Sequence, residues 1–545
     1  MSTSTAANTT EETPVWELHG LDPAVHARRW WVLGVLCLSM TIIVMDNTIL
    51  NVAIPSLIRE LNATNSQVQW IIDSYTIVFA GLLLTTGSLS DRFGRKGALQ
   101  AGILLFMAGS IASALATSAP QLIVTRAFMG IGGALIMPST LSILTDVFRN
   151  PKERGRAIAI WAGFSGVGVA LGPITGGLLL KHFSWSSVFW VNVPIGIVAL
   201  VAGAILLTTS RDPNQGRLDP FGSLLSIIGL GALLFGIIEV PVRGWSDPQV
   251  IAGFVFGVLA IASFIAWELH TNHPMLDMRF FKNPRFAAAN TAVTMTFFAM
   301  FGSLFLMTQY WQFVHGYTPL EAGVRLVPYA ASMMIVAPLS ARIVERIGSK
   351  RVITIGLFTV TAALLLLSLV RRETPYVWAI LPYCLMAAGI GMTMPPATES
   401  IMGSLPREKA GVGSAVNDTT RQMGGALGVA LIGSVVSSIY ASNVDSVASR
   451  YNLTGAALSE ARSSLGGGLK VAGQLGDQAA GLTNAIKDGF VSGLSSGLRL
   501  ASIVVVAAAF VVWRYLPARA ADHDLLPSAY ADEFDAEGLS IVAGE

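Results

Sequence analysis

Residues 31–55 read WVLGVLCLSMTIIVMDNTILNVAIP, twenty-five positions in which Asp46 carries the only charge. At about 1.5 Å per residue a helix of that length rises roughly 37 Å, enough to cross about 30 Å of hydrocarbon. An ionised side chain inside the bilayer costs at least about 2.5–3.5 kcal/mol, so it is kept where it lines a cavity, pairs or carries a proton. The stretch reads as a transmembrane helix with a working carboxylate in it, and the rest of the chain agrees.

Of 545 residues, 53% are hydrophobic and only 12% are charged, too apolar a mixture for a soluble multidomain protein. Apolar runs of spanning length recur fourteen times, from 31–55 to 494–516. Each must be helical, because lipid satisfies no backbone polar group. The expected fold class is an all-α integral membrane protein with fourteen spans. Grouping the N-terminus, alternate loops and the C-terminal tail puts 22 of the 35 Lys and Arg on one side and 10 on the other. The positive-inside rule then predicts a multi-pass protein of the inner (cytoplasmic) membrane with both termini in the cytoplasm. Trp30, Trp31, Trp70, Trp185, Trp190, Trp245, Trp311, Trp378 and Trp513 fall near predicted span ends, as an interfacial belt requires. The polar stretch before the first span does not read as a cleavable signal. Cys37 and Cys384 lie within spans and imply neither a disulfide framework nor a metal site. The net charge of +2 is spread over loops rather than gathered in a patch, so no nucleic-acid partner is expected. A GxxxxGK[ST] phosphate loop and an inter-span catalytic domain are both missing from the sequence, which argues against an ATP-driven pump or a membrane enzyme.

An internal repeat organises the chain. GSLSDRFGRK (87–96) matches ARIVERIGSK (341–350) at an offset of 254, and NPKERGR (150–156) matches LPREKAG (405–411) at 255. Gly130-Ile-Gly132 recurs as Gly389-Ile-Gly391. The expected domains are a cytoplasmic segment 1–29, a six-helix half 30–208, two inserted spans in 209–270, and a second six-helix half 271–516 that includes an external loop 440–490. An acidic cytoplasmic tail, 517–545, reads as disordered. Parallel repeats of this kind place a substrate site near the midplane, between the halves.

Four motifs carry a resemblance over about residues 30–516: the GSLSDRFGRK loop, Arg126-x-x-x-Gly130-x-Gly132, Gly168-x-x-x-Gly172-Pro173-x-x-Gly176-Gly177, and MDNTILNVAIP. Together they resemble the major facilitator superfamily, and within it the fourteen-span drug:proton antiporter branch of QacA- and EmrB-like exporters. The resemblance implies two six-helix halves plus two inserted helices, working by alternating access. It implies proton-coupled export of hydrophobic, often cationic drugs or dyes, with an endogenous metabolite, lipid or peptide as the second reading of the cargo. Its expected partners are the bilayer, protons and those substrates. The expected energy source is the proton gradient, with no cofactor, and the expected state is a monomer.

Asp46 lies about 22 Å along its helix, while Asp73 and Arg126 lie about 10 Å and 8 Å into theirs from the other side, so all three share one depth. Desolvation and a neighbouring Arg pull a carboxylate's proton affinity in opposite directions, and that balance allows uptake and release. The competing reading is a permanent Asp46–Arg126 salt bridge that only fixes packing. The resemblance gives Asp46 and Arg126 the positions of proton-relay residues. Asp418 and Arg421 are three apart in span 13, beside Asn417 and Gln422, and can neutralise each other locally. By resemblance Asp418 stands where relatives use an acid for protons or cationic drugs. Phe301, Met307, Tyr310 and Trp311 are candidates to line a substrate pocket, or to pack spans. On the 87–96 loop, a gate by resemblance, Asp91 can accept bonds from a neighbouring helix N-terminus and Arg95 can pair with Asp146, with Arg92 beside them. The span-5 set Gly168, Gly172, Pro173, Gly176 and Gly177 permits close helix approach and a bend. Glu239 and Glu268, near the ends of the inserted spans, read as structural.

Overall fold

The computed structural model describes residues 23–61, 65–210, 219–271, 274–406, 409–474 and 479–517. Most of the expected N-terminal segment and the expected disordered tail lie outside the described residues. In the first half, α1 (Pro23–Glu60), α2 (Asn65–Phe93), α3 (Arg95–Ala114), α4 (Ala119–Val147) and α5 (Pro151–His182) are single spans, and α6 (Ser187–Trp190) with α7 (Asn192–Leu206) forms the sixth. The inserted pair is α8 (Pro220–Arg243) and α9 (Pro248–His270). The second half begins with α10 (Pro284–Gln309), which runs into a π turn over Tyr310–Val314. It continues through α11 (Pro319–Arg325), α12 (Val327–Ile347), α13 (Ser349–Leu367), α14 (Tyr376–Met402) and α15 (Ala410–Ala448). After the short α16 (Gly455–Ser463) and α17 (Leu465–Ala472), α18 (Ala479–Tyr515) closes the bundle. Among the described residues, fourteen helical stretches are long and apolar enough to cross a membrane, as the hydropathy predicts.

Local chemistry sets the starts of these helices. Asn150, Asp219, Asp247, Asn283 and Thr318 each accept a backbone N–H with the side chain at the N-cap, and each is followed by Pro at the first turn. Such a cap satisfies an orphan donor, and the following Pro has none to lose. The repeat is visible in the backbone as well as in the sequence. Gly94 and Gly348, one offset apart, both take positive φ, 110° and 83°, and both turn one span into the next. A side chain would be strained at either position.

Two apolar cores form, one per half. The inserted α8 serves both, with Leu230 in the second-half core and Leu234, one turn on, in the first-half core.

One expectation is extended and one corrected. The external loop 440–490, expected to hold helical patches such as 456–465, is largely helical: α15 runs on to Ala448, α18 starts at Ala479, and α16 and α17 lie between them. Hydropathy reports the thickness of the apolar slab rather than the length of a helix, and tertiary bonds keep these polar turns helical. Tyr440 Oη donates toward the carbonyls of Ala461 and Ser464, at 2.9 and 3.0 Å. The aromatic belt also loses two members, since Trp185 and Trp311 are 7% and 1% exposed, while Trp31, Trp378 and Trp513 remain open at the surface.

Candidate functional site

Asp46 and Arg126 meet directly. Arg126 Nη1 lies 2.5 Å from Asp46 Oδ2, and the two residues are 0% and 1% exposed as side chains. Arg126 Nε donates to the Ile71 carbonyl at 3.3 Å, and its guanidinium lies 4.5 Å from the Tyr75 ring centroid. A third group, not anticipated from sequence, completes the arrangement: Asn192 Nδ2 donates to Asp46 Oδ1 at 2.9 Å. Asn192 sits where α6 breaks into α7, and the Ser110 Oγ beside it donates to the Phe189 carbonyl. One carboxylate from α1 is thus held by α4 and α7 with both oxygens occupied. Asp73 on α2 is half-buried, unlike the fully enclosed Asp46.

The glycine motif of α5 divides between two neighbours. A Cβ at Gly168 would sit 2.8 Å from Val44 Cβ, one at Gly172 would overlap Thr48 Oγ1, and one at Gly176 would sit 2.8 Å from Ile49 Cγ1. These three glycines let α1 lie backbone-close on α5, immediately beside Asp46. Gly177 and Pro173 instead face the second half, where they meet Leu320 and Gly323 of α11.

At the basic end of the bundle, polar contacts between described residues join the halves. Asp91 of α2 accepts the Gly411 N–H at 2.8 Å and the Val412 N–H at 3.2 Å, capping α15 with a carboxylate. Gly87 and Gly411 permit this approach, because a Cβ on Gly411 would come within 2.5 Å of the Gly87 carbonyl. Glu345 of α12, the repeat counterpart of Asp91, pairs with Arg156 of α5 at 3.0 Å. Arg156 occupies the repeat position of Gly411, so the two latches are related by the internal symmetry. A further contact, Arg154 with Glu399 of α14 at 2.6 Å, was not anticipated. Arg95 pairs with Asp146 as expected, at 4.0 Å, and lies closer still to Asp91, at 2.9 Å. Arg92 lies over the ring of Phe93.

In the second half, Asp418 Oδ1 is 3.3 Å from Arg421 Nη1, and both residues are buried. Phe301 is partly buried, stacks on Phe297 at 5.8 Å and lies against Gly425. Met307, Tyr310 and Trp311 are enclosed in the second-half core. Tyr310 Oη donates to the Arg371 carbonyl at 2.8 Å, and Trp311 packs edge-on against Tyr383 at 5.6 Å. Glu239 pairs with Arg243 at 2.5 Å, and Glu268 accepts the Leu276 N–H at 3.0 Å.

Twelve spans in two repeated halves with two more inserted between them, a buried ion pair inside one half and polar latches between the two describe a membrane transporter. Residues 36–429 match the Major Facilitator Superfamily. The chain is 35% identical over 486 residues to the multidrug efflux pump LfrA of Mycolicibacterium smegmatis, covering 89% of this chain and 96% of that one. It is 31% identical over 510 residues to the tetracenomycin C resistance and export protein of Streptomyces glaucescens, covering 92% and 94%. In fold it is similar to the human organic anion transporter MFSD10 (TETRAN), with a TM-score of 0.60 and 14% identity over 90% of this chain and 100% of that one. The chain belongs to the major facilitator superfamily and is a transporter, not an enzyme.

Proposed function

We propose that the protein is a proton-coupled antiporter that exports hydrophobic, often cationic compounds, with its basic end and both termini in the cytoplasm. The observation that carries the reading is the Asp46–Arg126 pair, wholly buried and shared by three helices. A carboxylate held there exchanges a proton against its bond to Arg126, and neutralising it loosens α1 from α4. That is the local event needed to couple a proton to a movement of helices. Asp73, half-buried on the adjacent α2, is the acid we assign to the proton's path. Asp91, Arg95 and the cross-half pairs form the gate at the basic end, with Arg92 and Asp146 as its outer members. Asp418 supplies the countercharge for a cationic substrate. Phe301 is the aromatic contact, backed by Met307, Tyr310 and Trp311. Relatives named for multidrug efflux support the substrate class. The second reading, export of an endogenous metabolite, lipid or peptide, draws on the relative named for resistance to and export of tetracenomycin C.

Dye uptake into everted vesicles under an imposed pH gradient tests the coupling. Asp46→Asn keeps the size of the side chain but exchanges no proton, so uphill uptake is expected to vanish while the protein still folds. Full pH-driven uptake by Asp46→Asn would sink the assignment.

A further inference from the structure

Between the halves, the Arg421 guanidinium lies 4.8 Å from the ring centroid of Trp161 on α5 and 5.2 Å from that of Phe297 on α10. Asp418 Oδ1 is 3.3 Å from Arg421 Nη1. One aromatic wall therefore comes from the first half, while the other wall and the carboxylate come from the second. The group is sealed, with Trp161, Asp418 and Arg421 at 0%, 1% and 4% exposure. Yet Arg421 Nε and Nη2, Asp418 Oδ2 and Trp161 Nε1 find no hydrogen-bond partner. A buried polar atom left unpaired costs about 1–3 kcal/mol, so a pair kept only for structure normally has its remaining atoms satisfied. Two ring faces and a carboxylate are instead the chemistry that holds a flat, delocalised cation.

We infer that Trp161, Phe297 and Asp418 form a binding site for planar organic monocations, and that Arg421 is its resident occupant, displaced when such a cation enters. The inference rests on the proposed export of cations and names the site where that cation sits. One cation replaces another, so Asp418 never stands unpaired in the membrane, and no net charge is added to the buried site. The exchange also explains why two of the unpaired atoms sit on Arg421, a side chain long and flexible enough to swing aside and return. A neutral compound has no means of displacing the guanidinium from the carboxylate. Because Trp161 belongs to the opposite half from Asp418, filling the site draws on both halves at once.

The test is binding to the full-length protein in nanodiscs, with ethidium as planar monocation and Nile red as neutral probe, and with thermal unfolding as the check on folding. Emptying the site by Arg421→Gln removes an internal competitor, so ethidium should bind about tenfold tighter. Trp161→Leu should weaken ethidium by about tenfold, the loss of one cation–π face in a dry site, and leave Nile red within about twofold. If Arg421→Gln does not fold, Arg421→Lys carries the same expectation at a smaller size, because an ammonium fits poorly between two ring faces. Ethidium bound equally or more weakly by a folded Arg421 variant, with normal wild-type binding, overturns the displacement and leaves cation export standing. Nile red binding without ethidium binding in wild type and every variant overturns the cation reading itself.

Discussion

The carboxamide of Asn192 donates to Asp46 Oδ1 opposite the Arg126 guanidinium on Oδ2, so a single acid ties α1 to both α4 and α7. The sixth span is thereby part of the acid's environment, although it contributes no charge of its own there.

Removing that amide leaves one carboxylate oxygen without its donor. A hydrogen bond to a charged group is worth about 1.5–3 kcal/mol, so Asn192→Ala should lower the thermal midpoint and slow pH-driven transport. Asn192→Asp should be worse, because it sets a second carboxylate against the first. Wild-type midpoint and turnover in Asn192→Ala would remove the residue from the site.

Asp91→Asn should slow turnover with little change in substrate affinity, since the residue caps α15 at the basic end and lies away from Asp418. A carboxylate at a helix N-terminus contributes about 0.3–1 kcal/mol, up to about 2 when partly buried. Gly411→Ala should reproduce the defect by sterics alone, because its Cβ would fall 2.6 Å from Asp91 Cγ. Changed affinity with unchanged turnover would make Asp91 a binding residue.

Two glycine substitutions give a paired comparison. Gly172→Ala drives a methyl into Thr48 beside the acid and should cost about 1–3 kcal/mol with a loss of transport. Gly433→Ala meets nothing within 4 Å and should be close to neutral. Equal effects from the two would show that close contact between α1 and α5 is not what the motif provides.

His315, just past the π turn, has its pKa lowered from 6.5 by burial first and by the charge of Lys487 second. Its Nε2 lies 2.9 Å from Tyr310 Oη. Because the folded state binds this proton less readily than the unfolded state, the contribution to stability is present above about pH 6.5 and is lost as pH falls from there toward the depressed folded value. The thermal midpoint should decline across that acid window, and His315→Gln should flatten the decline. A decline of the same depth in His315→Gln would assign it to other groups.

Much of this was legible in the sequence because a bilayer forces the reading. Charges such as Asp46, Arg126 and Asp418 stand out against an apolar background, and loop charges set a candidate orientation. The offset between 87–96 and 341–350 announced two halves, and Gly94 and Gly348 bear it out in their backbone. Contacts between neutral polar groups left no such trace. Asn192 is one uncharged residue after Trp190 and Val191, marked only by its polarity within an apolar run. The partners Arg154 with Glu399 and Arg421 with Trp161 lie hundreds of residues apart, and no periodicity says which helix faces which. The extent of α15 was hidden for another reason: past the hydrocarbon its side chains turn polar while its backbone stays helical.

The two helices outside the repeat leave a final consequence. On α8, Leu230 belongs to one core and Leu234 to the other, and the Ile227 carbonyl lies 3.4 Å from where a Cβ of Gly81 on α2 would stand. A fourteen-span chain of this design therefore has its seam buttressed on one side only. Relative rotation of the halves must shear α8 against at least one of them, so the resting preference between conformers depends partly on residues that touch neither substrate nor proton. Variation along α8 would retune the cycle while leaving the chemistry of the site unaltered.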